Sequence, residues 1–347
     1  MRVLIENYRN LTAGHCGTGS MRNLLYHYTG LELEEGVVFG LGSGLDTVYF
    51  SYEQDNPPYM LFGRGSTFEC DVAANLGVDY RETIQPDDDL AWEEVREEVI
   101  AGRPTMLSGD IYYLDYRKFK VHFPSHRFVL LGFDDERDEV YVADRTDEET
   151  QTCSSAAVRL SRNPPVGLST FNAWGKFHST EIRKPLPDAC LDALRTTPHR
   201  MLGEDHSQYA LMQACRRDDD GSRAVGLAGL ELLLQEFGTW HDRSDAEVHL
   251  RYLVNAIVKF GTGGGFFRDH FAAFMRWSGV LRPDRVDAAC VDLAEDSARQ
   301  WNALAAQIQF ALDQGLPPDF WPQTADGLTS ILERERRLFE RLDHMLA

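Results

Sequence analysis

The sequence predicts an α+β domain over residues 1–185 followed by an all-α domain over residues 186–347. Three observations carry that prediction. The 347 residues exceed the length at which a single hydrophobic core usually stops growing. The first half mixes short helical patterns with strand-like runs, whereas apolar residues in the second half recur at the helical period. Between the two textures lies Lys184-Pro-Leu-Pro-Asp188, a proline-rich stretch of linker type.

In the first half, Met21, Leu24, Leu25 and Tyr28 mark a helix from Ser20 to Tyr28, with Gly30 as its stop. Val37-Val-Phe39 reads as a strand entering the bend Gly40-Leu-Gly-Ser-Gly44. The strand-like Val48–Tyr52 after that bend argues against a dinucleotide loop, which requires a helix there. Asp88–Ala101 is an amphipathic helix with apolar Leu90, Val95 and Val99, ended by Gly102. Thr105–Tyr113 reads as a strand, and Arg127–Phe133 and Glu139–Ala143 as two more joined by the polar turn Asp134–Asp138. In the second half, helices follow from Leu227, Leu230, Leu233, Leu234 and Phe237, from Leu250, Leu253, Val254, Ile257 and Val258, and from Leu304, Ile308 and Ala311.

Composition narrows the function classes. Hydrophobic residues at 43% and charged residues at 26% are ordinary for a globular protein. The N-terminal residues are too polar for a signal-peptide core, and no apolar run approaches the ~20 residues that span a bilayer. A cytoplasmic protein without a membrane role is expected. Cysteines 16, 70, 153, 190, 215 and 290 form no CxxC pair, so neither a disulfide framework nor a metal site is expected. A net charge of −20 repels nucleic acid and attracts a cationic small molecule, while serving solubility equally well.

Cys16 sits in Gly14-His15-Cys16-Gly17-Thr18-Gly19-Ser20, just ahead of a helix. The positive end of a helix lowers a thiol from ~8.5 into a range of about 3.5–7.5, so that thiolate is available at neutral pH. Flanking glycines let backbone N–H groups approach a reacting carbonyl, as an oxyanion hole requires. The segment also fits a buried cysteine at a helix start. A nucleophile of this kind needs a base and a group that orients the base. His15, His27, His122, His126 and His178 are the candidates. His15 adjoins the cysteine, but successive residues do not face each other on a helix. His126 opens a strand whose hairpin centre falls near residue 136, so it faces residue 146 and Asp144 lies diagonally on the same face. A register slip of one reverses that placement, and both residues also fit polar strand ends at a solvated rim.

Several segments together carry a resemblance. His15-Cys-Gly-Thr-Gly-Ser-Met-Arg-Asn-Leu-Leu25, Phe39-Gly-Leu-Gly-Ser-Gly-Leu45, Val48-Tyr-Phe50, Ser125-His-Arg-Phe-Val-Leu-Leu-Gly-Phe-Asp-Asp-Glu136 and Val140-Tyr-Val-Ala-Asp144 resemble the N-terminal domain of the butirosin biosynthesis protein H family. Gly226-Leu-Ala-Gly-Leu230 and Gly261-Thr-Gly-Gly-Gly-Phe-Phe-Arg268 are similar to its C-terminal domain. The resemblance implies a papain-like first domain, a helical second domain, and transfer of an aminoacyl side chain from an acyl carrier protein to an aminoglycoside amine. It makes Cys16 the acylated nucleophile, His126 the general base and acid, and Asp144 the residue that orients His126. The backbone N–H of Cys16 is the expected oxyanion donor.

Two further features bear on substrate. Asn23, on the helix after Cys16, is a candidate contact near the site. Gly263, Gly264 and Arg268 lie at a helix start, where backbone N–H groups and a guanidinium fit the phosphate of a phosphopantetheine arm. The same residues fit an interhelical turn with Arg268 paired to a carboxylate. The expected activity is therefore a cysteine-dependent acyltransferase in natural-product biosynthesis, with a phosphopantetheine thioester on an acyl carrier protein as donor and a small-molecule amine as acceptor. A papain-like amidase or peptidase, with water as acceptor, and a non-catalytic binding protein are the alternatives.

Overall fold

The computed structural model describes residues 1–51, 58–118, 121–165, 169–203 and 223–347. The chain forms two compact units, one from residues 1–35 and 77–183, the other from residues 36–76 and 184–347. The boundary expected near residue 185 falls between 183 and 184. Residues 36–76, which the sequence placed in the first domain, pack with the C-terminal residues instead.

In the first unit, helix α1 (Cys16–Thr29) begins four residues ahead of the expected Ser20 and ends at Gly30, whose left-handed φ of 71° lets its N–H reach the Tyr26 carbonyl. A seven-stranded antiparallel sheet follows the order β4-β9-β5-β6-β7-β8, with β1 also on β6. These strands are β1 (Arg2–Leu4), β4 (Tyr80–Thr83), β5 (Thr105–Gly109), β6 (His126–Asp134), β7 (Glu139–Ala143), β8 (Gln151–Ser154) and β9 (Trp174–Phe177). β5 is shorter than the sequence predicts, because the chain turns at Asp110, whose carboxylate accepts the N–H groups of Tyr112 and Phe123. Helices α4 (Asp88–Ile100) and α5 (Ser155–Arg162) complete the unit. Trp92, Val95 and Val99 of α4 pack with Leu107, Phe128, Leu130, Phe133, Val140 and Val142 in one core. Leu90, expected on the apolar face of α4, is exposed; Ala91 and Trp92 take its place. β6 is buried along its whole length and touches both α1 and α4. It is a central strand of the sheet, and His126 is its first residue.

In the second unit, the expected strand at Val37-Val-Phe39 is helix α2 (Glu35–Leu41). A short apolar run does not distinguish buried helix from buried strand by periodicity. Here the choice is fixed by packing: Gly36 and Gly40 share one face, and a side chain at either would run into Ala273 or Phe274 of helix α9 (Arg268–Leu281). The strand begins later, as β2 (Leu45–Ser51), and pairs with β3 (Tyr59–Arg64) and β10 (Arg223–Val225). Around this small sheet lie α3 (Phe68–Leu76), α6 (Leu186–Met201), α7 (Gly226–Phe237), α8 (Ala246–Val258), α9, α10 (Ala288–Gln314) and α11 (Phe320–Leu346). The chain after residue 184 is thus helical apart from β10 among the described residues, but in space it encloses strands from the N-terminal half. Cys215 lies outside the described residues; Cys16, Cys70, Cys153, Cys190 and Cys290 are free thiols. No helix among the described residues is long and apolar enough to cross a membrane.

Candidate active site

Cys16 is the first residue of α1 and is only 4% exposed. The loop before it is held from two directions. The Glu35 carboxylate accepts the N–H groups of Gly14 (3.0 Å) and His15 (2.8 Å). Arg145 accepts the Ala13 N–H at its carbonyl (2.8 Å) and donates from Nη1 to the Gly14 carbonyl (2.9 Å). Gly19 makes this approach possible, since a Cβ there would collide with the Cβ of Ala13. The first N–H groups of a helix have no intrahelical acceptor, so that of Cys16 is not committed to the ladder of α1.

His126 opens β6 opposite Gly109 of β5. The β6–β7 register pairs Val129 with Ala143 and shifts between Leu130 and Gly132. Continued toward the site, that register sets residue 126 opposite 146, with Asp144 on the diagonal. His126 Nε2 lies 2.9 Å from Asp144 Oδ2. With Nε2 at Asp144, Nδ1 is the ring nitrogen left to serve Cys16, whose presence favours the His126 imidazolium. Asp144 is itself held: Tyr116 Oη donates to Oδ2 at 2.7 Å, Arg117 Nη2 lies 2.9 Å from the same oxygen, and the Arg145 N–H donates to Oδ1 at 2.6 Å.

The electrostatics follow from burial set against pairing. Burial alone would raise the Cys16 thiol; its interactions with His126, and with His15, outweigh burial and hold the thiol well below its ordinary value. Burial disfavours the His126 imidazolium, but the Asp144 charge and hydrogen bond, with those of Cys16, raise it to about 9. Burial also opposes ionisation of Asp144, and His126, Arg117 and Tyr116 carry it well below the usual carboxylate range. The combination favours a thiolate–imidazolium pair at neutral pH, a state suited to attack on an acyl carbon.

Sequence reasoning missed Tyr116 and Arg117, because nothing in Asp115-Tyr-Arg117 marks a loop that returns to a residue 28 positions away. It also discounted His15 on the ground that helix neighbours diverge. His15 is the N-cap, outside the helix, and its ring folds back over the first turn, with Nδ1 accepting the Thr18 N–H at 3.2 Å. His122 stands apart from Cys16 in its bonding: its Nδ1 is 2.7 Å from Asp110, and its ring stacks on Tyr112.

Asn23 is buried, and its amide donates to Asn10 Oδ1 (2.8 Å) and the Leu11 carbonyl (3.1 Å). Asn10 in turn donates to the carbonyls of Asp144 (2.9 Å) and Asp147 (2.6 Å). The pair ties α1 to the segment that carries Asp144, and Asn23 serves architecture in place of the substrate contact expected of it.

The expected phosphate site at Gly263, Gly264 and Arg268 is corrected. Arg268 is 1% exposed, and its guanidinium is spent inside the second unit. Nε and Nη2 form a fork with Glu335 (2.8 and 2.7 Å), Nη2 also meets Thr47 Oγ1 (3.1 Å), and Nη1 meets the Phe266 carbonyl (3.0 Å). Trp301 and Ser297 donate to the same carboxylate. Gly263 and Gly264 have φ of 69° and 106°, and side chains there would strike His270 and Asp269. The Gly264 N–H goes to Thr262 Oγ1 and that of Gly265 to Asn302 Oδ1. The motif builds a turn around a buried ion pair.

Residues 15–145 match the family model described as butirosin biosynthesis protein H, N-terminal. Residues 156–342 match the one described as a domain of unknown function (DUF4872). Among curated proteins, none matches the chain.

Proposed function

We propose, on the premise that the chain belongs to the butirosin biosynthesis protein H family, that it is a cysteine-dependent acyltransferase with a papain-like catalytic arrangement, acting in antibiotic or related natural-product biosynthesis. The observation that carries this reading is the Cys16–His126–Asp144 constellation, in which His126 holds Asp144 at 2.9 Å while its charge favours the Cys16 thiolate. The Cys16 thiolate attacks the carbonyl carbon of a thioester, with the backbone N–H of Cys16 donating to the developing oxyanion. The bond to the donor sulfur breaks, and His126 Nδ1–H protonates the departing thiolate. The amine of the acceptor then attacks the acyl-enzyme, His126 removes its proton, and Cys16 leaves as thiolate. The products are an amide and the free donor thiol.

The proposed donor is a phosphopantetheine thioester on an acyl carrier protein, and the proposed acceptor a small-molecule amine. The chain's net charge of −20 complements a cationic acceptor. The test supplies an acyl-pantetheine thioester with and without an aminoglycoside and follows products by mass spectrometry. Amide formation outpacing free-acid formation supports the transferase. Free acid at a rate indifferent to the amine makes the protein a hydrolase.

A further inference from the structure

Each further donor aimed at a developing oxyanion stabilises it, and Asn10, the amide-bearing side chain closest before Cys16 in sequence, is committed elsewhere: both of its bonds from Nδ2 go to the carbonyls of Asp144 and Asp147. His15 is differently placed. It is buried at 4% exposure, it precedes Cys16 directly, and it caps the helix that Cys16 begins. The Thr18 backbone N–H donates to His15 Nδ1 at 3.2 Å, and Thr18 Oγ1 lies 2.6 Å from the same nitrogen. A backbone N–H can only donate, so Nδ1 carries no proton. The neutral ring then has its proton on Nε2. Nε2–H is then the ring group left to serve the neighbouring Cys16, whose ionisation His15 favours.

We infer that His15 is a catalytic residue whose Nε2–H, fixed in that tautomer by Thr18, donates to the oxyanion of the acyl-transfer step alongside the backbone N–H of Cys16. The inference rests on the acyl-enzyme reading above. In the resting state Nε2–H steadies the thiolate. As the sulfur becomes bonded to carbon and its charge passes to the carbonyl oxygen, the donor follows the charge. No proton is transferred from His15, and His126 does the acid–base work.

The test compares two reactions of Cys16 in the full chain. Alkylation by iodoacetamide requires the thiolate but forms no oxyanion. Acylation by p-nitrophenyl acetate requires both. His15→Ser keeps an N-cap of a favoured type and removes the ring. The ratio of acylation to alkylation rate, taken at one pH, cancels any change in thiolate fraction. Loss of one oxyanion donor is worth about 10²–10³-fold, so the ratio should fall by roughly that factor. A ratio unchanged in His15→Ser overturns the role of His15 while leaving the acyl-enzyme intact. Absence of Cys16 acylation in the unmutated chain removes the acyl-enzyme itself, and the inference with it. A second measurement needs no variant: ring nitrogen NMR of His15 should show protonated Nε2 and bare Nδ1, and the reverse assignment contradicts the inference.

Discussion

Arg145 Nη1 holds the Gly14 carbonyl at 2.9 Å, and so joins the residue after Asp144 to the loop just before Cys16. Cys16 and Asp144 are 128 positions apart in sequence, and α1 and the end of β7 are brought together by such ties rather than by strand pairing. Asn10 adds another by holding the Asp144 carbonyl, and Gly19 supplies the space for Ala13. The site is therefore as precise as the loop that these residues clamp.

Gly19→Ala should displace that loop. The added methyl meets Ala13, and overpacking of this kind costs about 1–3 kcal/mol. Acylation of Cys16 should slow by more than the stability loss explains, because misplacement near the chemistry is itself costly, on the order of 10²-fold for an ångström. Rates and chemical denaturation measured on the same sample separate the two effects.

The ion pair predicts a distinctive pH response. Iodoacetamide should react with wild-type Cys16 well below pH 9.0, the ordinary thiol value. In His126→Ala the main group lowering the thiol is gone and burial prevails, so the titration should move upward, with each unit costing about tenfold in reactivity at neutral pH. Stability should follow the imidazolium. The folded value of about 9 lies above the ordinary 6.5, so its contribution is full below 6.5 and disappears as the pH rises through 9. Chemical denaturation at several pH values should show that decline in the wild type and not in His126→Ala.

Asp144→Asn should lower kcat more than Tyr116→Phe does. The first removes the charge that sustains the imidazolium. The second removes one of the several hydrogen bonds around that charge, worth about 0.5–1.5 kcal/mol or somewhat more to a charged group. Loss of His126 as general base should cost about 10²–10⁴-fold. Equal kinetics for all three variants would mean that the constellation is not used.

Arg268→Ala should destabilise the second unit by about 3–5 kcal/mol, because it strands the buried Glu335. Where folded protein survives, its KM should be the same for a phosphopantetheine thioester and for a truncated thioester lacking the phosphate. A selective loss for the phosphate-bearing donor would restore a binding role.

The sequence was most informative where local chemistry decides structure. The β6–β7 hairpin was readable because Asp134–Asp138 is polar and both flanks are apolar, and its register placed Asp144 diagonal to His126. Gly30 announced the end of α1. Legibility failed where distant packing decides. Val37-Val-Phe39 resembles a strand, and only Phe274 and Ala273 fitting against Gly36 and Gly40 make it helical. The Gly263–Arg268 motif has the composition of an anion site, and Glu335, in a helix 67 residues later, turns it into a core ion pair. His15 stands outside the helix as its N-cap, a position that the geometry of helix faces does not describe.

The central claim is that Cys16 carries the acyl group, and intact-protein mass spectrometry tests it directly. After incubation with a panel of acyl thioesters, the wild type should gain the mass of one acyl group, and peptide mapping should place it on Cys16. Cys16→Ala should gain none. Equal labelling of both proteins, or labelling confined to another cysteine, would contradict the account.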